Sequence, residues 1–197
     1  DPNDPKLKNP TKFIGKHYDK ESASKMMRKF NWQMKEQEEN SWRRVVSSPT
    51  PQYLFNGNSI KHMMEFGTIV VAAGGGGIPA YIKEDKGLRL VDGVIDKDMT
   101  SALLARIVKS EEFFIITDVG HVCLNYGTDD VKKIHKSNLK EMKDWLNEGH
   151  FKEGTMKPKI EAAIYFLEHH GEKVIITSID NIENAIKGIS GTIIEKV

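Results

Sequence analysis

The stretch VVAAGGGGIP, residues 70–79, sets four consecutive glycines directly behind a run of β-branched and small apolar residues. Glycine has no Cβ and holds backbone conformations closed to other residues, so a run of four is more than a plain turn requires. Ahead of it, NSIKHMMEFG reads as a helix stopped by Gly67, and TIVVAA, residues 68–73, as a buried strand that runs into the glycines.

The same alternation continues downstream. VIDKDMTSALLARIVKS traces a helical face through Met99, Ala102, Leu103, Arg106 and Ile107, and FFIITD, residues 113–118, is a short apolar strand. SNLKEMKDWLNEG begins with Ser137 as a possible cap and stops at Gly149. KPKIEAAIYFLEHHG has Pro158 in its first turn, Gly171 just past its end, and a buried stripe of Ile160, Ala163, Ile164 and Leu167. KVIITS is a strand, NIENAIKG a short helix and GTIIE a last strand. Strand and helix in alternation predict an α/β fold with a mainly parallel sheet covered on both faces.

Residues 1–46 differ in character. A helix is expected around residues 21–29, then alternating residues in NWQMKEQ, then WRRVV, with many charges and little continuous apolar sequence. The expectation is a small satellite subdomain, followed by an α/β core over residues 47–197. The opening DPNDPKLKNPTKFIG, without an initiator Met, looks like the middle of something and suggests a fragment, with a flexible polar tail as the alternative.

Lys plus Arg number 29 against 28 Asp plus Glu, so no global charge draws nucleic acid or an anionic membrane, and any cationic function must be local. With 39% hydrophobic residues among 197, there is material for one sizeable core. Cys123 is the only cysteine, which excludes an internal disulfide and an all-cysteine metal site. With no bilayer-length apolar run and no basic-then-apolar leader, the expected location is cytoplasmic.

Three stretches carry candidate chemistry. The glycines fit neither the P-loop pattern nor the dinucleotide fingerprint, since no GKS or GKT follows and Pro79 stands where a helix would begin; ligand contact and a simple turn stay equally open. Asp96, Lys97 and Asp98 stand at a junction leading into a helix, where acids ordinarily cap and meet the helix dipole. A lysine between carboxylates is also what phosphoryl transfer uses to neutralise a moving phosphoryl group. Lys157 and Lys159 bracket Pro158 at a helix start, against the dipole, as a cradle for an anion or as two solvated lysines. His169 and His170 end a helix, Met63 and Met64 suit a core, and Trp32, Trp42 and Trp145 are too scattered for base stacking.

NPTKFIG, WRRVVSSPTP, VVAAGGGGIP, VIDKDMTSALLA, ITDVGHVCLNYG, EGHFKEGTMKPKIEAA and the closing GTII occur together in the order of the carbamate kinases. The chain resembles that family, within the amino-acid kinase superfamily, along essentially its whole length. The resemblance implies a three-layer αβα sandwich with a mainly parallel central sheet and a small protruding subdomain, and commonly a homodimer. It implies reversible phosphoryl transfer between ATP and carbamate, with ATP/ADP and Mg2+, used in arginine fermentation to make ATP from carbamoyl phosphate.

By the same resemblance Lys97 bridges the reacting phosphoryl group, Asp98 orients the active-site lysines, and Lys159 reaches the nucleotide phosphates. Lys12 is brought over the site by the protruding subdomain. Gly74, Gly75, Gly76 and Gly77 form the loop approaching the substrate, and Asp118, Tyr126 and Met156 fall where the family contacts nucleotide. No protein metal ligands are implied. Lys157 replaces the family's usual glycine, and DVGHVC its more usual DVDGVY. The family also carries an amino-terminal strand, glycine-rich turn and helix ahead of the matched region. A noncatalytic nucleotide-binding or dimerisation remnant is the competing expectation.

Overall fold

The computed structural model describes residues 1–83 and 87–197. The chain divides into two compact units, residues 1–52 with 75–96 and residues 53–74 with 97–197. The first unit begins with a 3₁₀ turn at Pro5–Leu7, capped by the Asp4 carboxylate. Strand β1 (Lys12–Tyr18), helix α1 (Lys20–Phe30), β2 (Met34–Glu38) and β3 (Ser41–Val46) follow. The strands form an antiparallel sheet of order β1-β3-β2, with Lys12 opposite Val46. Asp19 caps α1 by accepting from the Ser22 N–H, and Asn31 ends it in the left-handed conformation at φ 54°.

The chain then enters the second unit for α2 (Gly57–Glu65) and returns to the first for the hairpin of β4 (Ala80–Ile82) and β5 (Leu88–Leu90). Residues 68–73, expected as a strand, form none. Ile69 is 94% and Val71 99% exposed, and no strand among the described residues pairs with them. β-Branched composition favours a strand only where a neighbour supplies the backbone hydrogen bonds and a surface to pack on.

The rest of the second unit runs α3 (Lys97–Val108), β6 (Glu112–Thr117), β7 (Val122–Leu124), β8 (Lys132–Ile134), β9 (Lys136–Asn138), α4 (Leu139–Asn147), α5 (Met156–Glu168), β10 (Lys173–Ser178), α6 (Ile182–Ile186) and β11 (Thr192–Glu195). The main sheet has the order β6-β10-β11-β9. Its β6–β10 and β11–β9 pairs are parallel, and β10–β11 is antiparallel. At the exception the chain passes from β10 to β11 through a 3₁₀ turn at Ile179–Asn181 and the five-residue α6, with no long crossover helix of the kind that usually joins parallel strands.

Alternate residues of β10 serve the two faces. Val174 and Ile176 join Ile160, Ala163, Leu167 and Phe166 of α5 in one buried cluster, while Thr177 turns to the face where α6 places Ala185. Helices thus cover both faces, as an α/β sandwich requires. Phe166 also explains Gly171: a Cβ there would stand 2.2 Å from the Phe166 ring, so the glycine serves packing, and His170 carries the left-handed φ of 81°. The cap of α4 is Asn138, one residue past Ser137. Asn138 accepts from the Glu141 N–H while Glu141 accepts from the Asn138 N–H and the Ser137 hydroxyl.

Candidate active site

In the second unit α3 leads into β6 and α5 into β10 through short connections, so both helix N-termini lie at the carboxyl end of the parallel β6–β10 pair. That end is where open α/β sheets bind ligands. Asp118 follows β6 there, exposed, with its carboxylate accepting from the Thr117 hydroxyl at 2.9 Å.

Lys97 opens α3, and its side chain is exposed. Asp98, in the same first turn, accepts from Lys159 Nζ at 3.0 Å, and the two side chains are only 13% and 15% exposed. An ammonium in the first turn of α5 opposes the helix dipole, and the Asp98 carboxylate supplies the compensating charge. The α5 N-cap, Thr155, makes no side-chain cap hydrogen bond. Lys157 pairs with Glu153 in an i,i+4 contact, and this hydrogen bond raises its pKa above the ordinary lysine value despite partial burial, with the charges of Glu153 and Glu161 assisting. The two lysines expected as a pair therefore have different partners. Met156 begins α5 and packs partly against the core.

In the first unit Lys12 Nζ donates to Asp96 Oδ2 at 2.5 Å, with side chains 32% and 18% exposed. The glycine run crosses from one unit to the other, Gly74 closing a stretch of the second and Gly75–Gly77 opening a stretch of the first. Gly76 and Gly77 have φ of 83° and 91°, conformations L residues rarely adopt, and Gly76 is buried. Space is open around Cβ positions built on Gly74, Gly75 and Gly77.

Tyr126 stands at the tip of the β7–β8 hairpin, 71% exposed. The hairpin is pinned to β11 by the buried Thr192 hydroxyl, which accepts from the Val122 N–H at 2.9 Å and donates to the Ile134 carbonyl at 2.5 Å. His121 and His135 flank it with rings 4.6 Å apart, edge to face, and His121 Nε2 is buried without a hydrogen-bond partner among the described residues. Burial, then the charges of His135 and Lys133, holds the His121 pKa below its ordinary value. The structure thus joins Lys12 to Asp96 and Asp98 to Lys159, and leaves Lys97, Asp118 and Tyr126 exposed.

Sequence reasoning set Lys97 between the carboxylates of Asp96 and Asp98; in the structure each of these acids holds a lysine distant in sequence, Lys12 and Lys159, and the Lys97 side chain is exposed. No signal announced Thr192, a threonine in a strand-like pattern.

The model of the amino acid kinase family matches residues 20–178. The chain belongs to the amino acid kinase family. Within it, the chain is 42% identical to the carbamate kinase of Pyrococcus furiosus over 192 residues, 98% of this chain and 61% of that protein. Solved structures of the same fold include carbamate kinase from Giardia lamblia bound to AMP-PNP, with a TM-score of 0.84 and 37% identity over 100% of this chain and 62% of that one. The Giardia lamblia enzyme bound to citric acid gives a TM-score of 0.91 at 35% identity, again over 100% and 62%. This amino acid kinase chain therefore spans slightly over three fifths of the length of these relatives.

Proposed function

We propose that this chain carries phosphoryl-transfer chemistry of the carbamate kinase type, moving a phosphoryl group between carbamoyl phosphate and ADP to give ATP and carbamate, which decays to ammonia and CO2. The observation that carries the reading is the Asp96-Lys97-Asp98 stretch, whose two acids engage Lys12 and Lys159 and leave the central lysine exposed. Similarity to carbamate kinases over 98% of the chain supports it.

In the reaction a terminal phosphate oxygen of ADP attacks phosphorus, and the bond from phosphorus to the carbamoyl oxygen breaks with its electrons leaving on carbamate. Lys97 neutralises charge on the moving group, Asp98 fixes Lys159, and Lys159 meets the nucleotide phosphates. Lys12, from a lid-like subdomain in residues 1–46, adds a further cation. Gly74–77 bring backbone N–H groups toward the substrate, while Asp118, Tyr126 and Met156 contact nucleotide. Magnesium enters as Mg-ADP or Mg-ATP, held by substrate phosphates, as suits a cation that keeps most of its ligands from phosphate and water.

Met63 and Met64, expected in a core, are instead 42% and 45% exposed, and with Phe66 these apolar side chains on and after α2 favour a homodimer. No helix among the described residues is long and apolar enough to cross a membrane. A cytoplasmic enzyme consuming carbamoyl phosphate from arginine breakdown fits the chemistry. Calorimetry with Mg-ADP and with NAD tests the ligand class: heat from Mg-ADP alone is expected, and heat from NAD alone overturns the reading.

A further inference from the structure

The Lys12–Asp96 pair is built by two separate backbone contacts. Lys12 is fixed in β1 opposite Val46 of β3. The next residue, Ser47, forms an isolated bridge with Gly93, and its carbonyl accepts from the Val94 N–H at 2.9 Å. A Cβ on Gly93 would stand 2.7 Å from that carbonyl oxygen, so only glycine permits the approach. One strand end thus sets both the backbone of Lys12 and the loop that carries Asp96.

A lysine has four rotatable side-chain bonds, and fixing them at the moment of binding weakens the interaction gained. Here they are fixed beforehand, by a carboxylate one residue from Lys97 in the chain. The Lys12 side chain keeps 32% of its surface exposed, so the pair is only partly buried.

We propose that Asp96 is a positioning residue that holds the Lys12 ammonium in one orientation and hands it to the phosphoryl group in transfer. The inference rests on the function proposed above and adds a second role within the DKD stretch: Asp98 holds the nucleotide-side lysine and Asp96 the lid-side lysine.

Two readouts test it, on the protein carrying this sequence. The first needs no turnover: acetylation of each lysine by an amine-selective ester, followed by mass spectrometry. Lys12 should label more slowly than exposed Lys35, and Asp96→Asn should speed Lys12 labelling about five- to tenfold, the scale of one partly buried ion pair, with Lys35 unchanged. Asp96→Glu, which restores the charge, should return most of the protection.

The second readout is ATP formation. Asp96→Asn should lower kcat about tenfold with little change in Mg-ADP affinity, and Lys12→Ala combined with Asp96→Asn should be no worse than Lys12→Ala alone. Unchanged Lys12 labelling in Asp96→Asn, or kinetic effects that add in the double variant, would overturn the positioning role. Labelling that responds as expected in a protein that makes no ATP would instead overturn the proposed reaction, and the handover with it.

Discussion

Replacing Asp98 with Asn keeps the shape of the side chain and removes its charge, leaving the Lys159 ammonium facing a neutral amide. At 3.0 Å and an effective dielectric constant of about 20, the pair attracts by about 5 kcal/mol. Part of that is offset in the wild type by the cost of taking both charges out of water, and both side chains are less than one sixth exposed. Breaking such a pair from one side typically costs about 3 kcal/mol, because the remaining charge stays desolvated. The location sharpens the effect, since an unpaired cation in the first turn of α5 also opposes the helix dipole. For a chain of this length about 3 kcal/mol lowers the thermal midpoint by roughly 6–12 °C. Scanning calorimetry on Asp98→Asn, Lys159→Met and the double variant forms a complete cycle. The double variant, with neither charge, should recover most of the loss. A midpoint for Asp98→Asn within a degree of wild type, or strictly additive losses, would refute an energetically coupled pair.

Thr192→Val should cost about 2 kcal/mol, because it strands the buried Val122 N–H and removes the donor to the Ile134 carbonyl; hydrogen exchange should rise in β7 and β8 ahead of β10. The His121 pKa is depressed in the folded protein, so the unfolded hairpin binds the proton more readily: its stability is complete above the ordinary value near pH 6.5 and falls as pH drops from there toward the depressed value. A pH series of melting curves should show that loss in wild type and a flatter profile in His121→Phe, whereas parallel profiles would remove His121 as the cause.

Elements with a complete local signature were legible in the sequence. The stripe Ile160, Ala163, Ile164 and Leu167 is buried in α5, and Pro158 lies in its first turn, because helical spacing and proline's fixed φ act within a few residues. Ser137 and Asn138 are both competent caps, and the choice between them fell to Glu141, which needed Asn138 as its partner for a reciprocal pair. Residues 68–73 have strand composition but no strand, because sheet membership depends on neighbours far away in sequence. The antiparallel β10–β11 pair was hidden for a related reason: the helix between them is only five residues long, a boundary that periodicity does not resolve. In the candidate site, the DKD stretch and the KPK helix stood out by charge at helix starts. Their connections, Lys12 to Asp96 across 84 residues and Lys159 to Asp98 across 61, belong to the folded chain alone.

The most direct measurement is the rate of ATP formation from carbamoyl phosphate and Mg-ADP by the protein carrying this sequence, wild type beside Lys97→Ala, with the thermal midpoint of each. Lys97 begins α3 with an exposed side chain, so its truncation should leave the midpoint nearly unchanged. On the role proposed for Lys97, neutralising charge that develops in transfer, its removal should lower kcat on the order of a hundred- to a thousandfold, with a much smaller effect on Mg-ADP affinity. An unchanged kcat in Lys97→Ala, or no ATP from the wild type, would contradict the account.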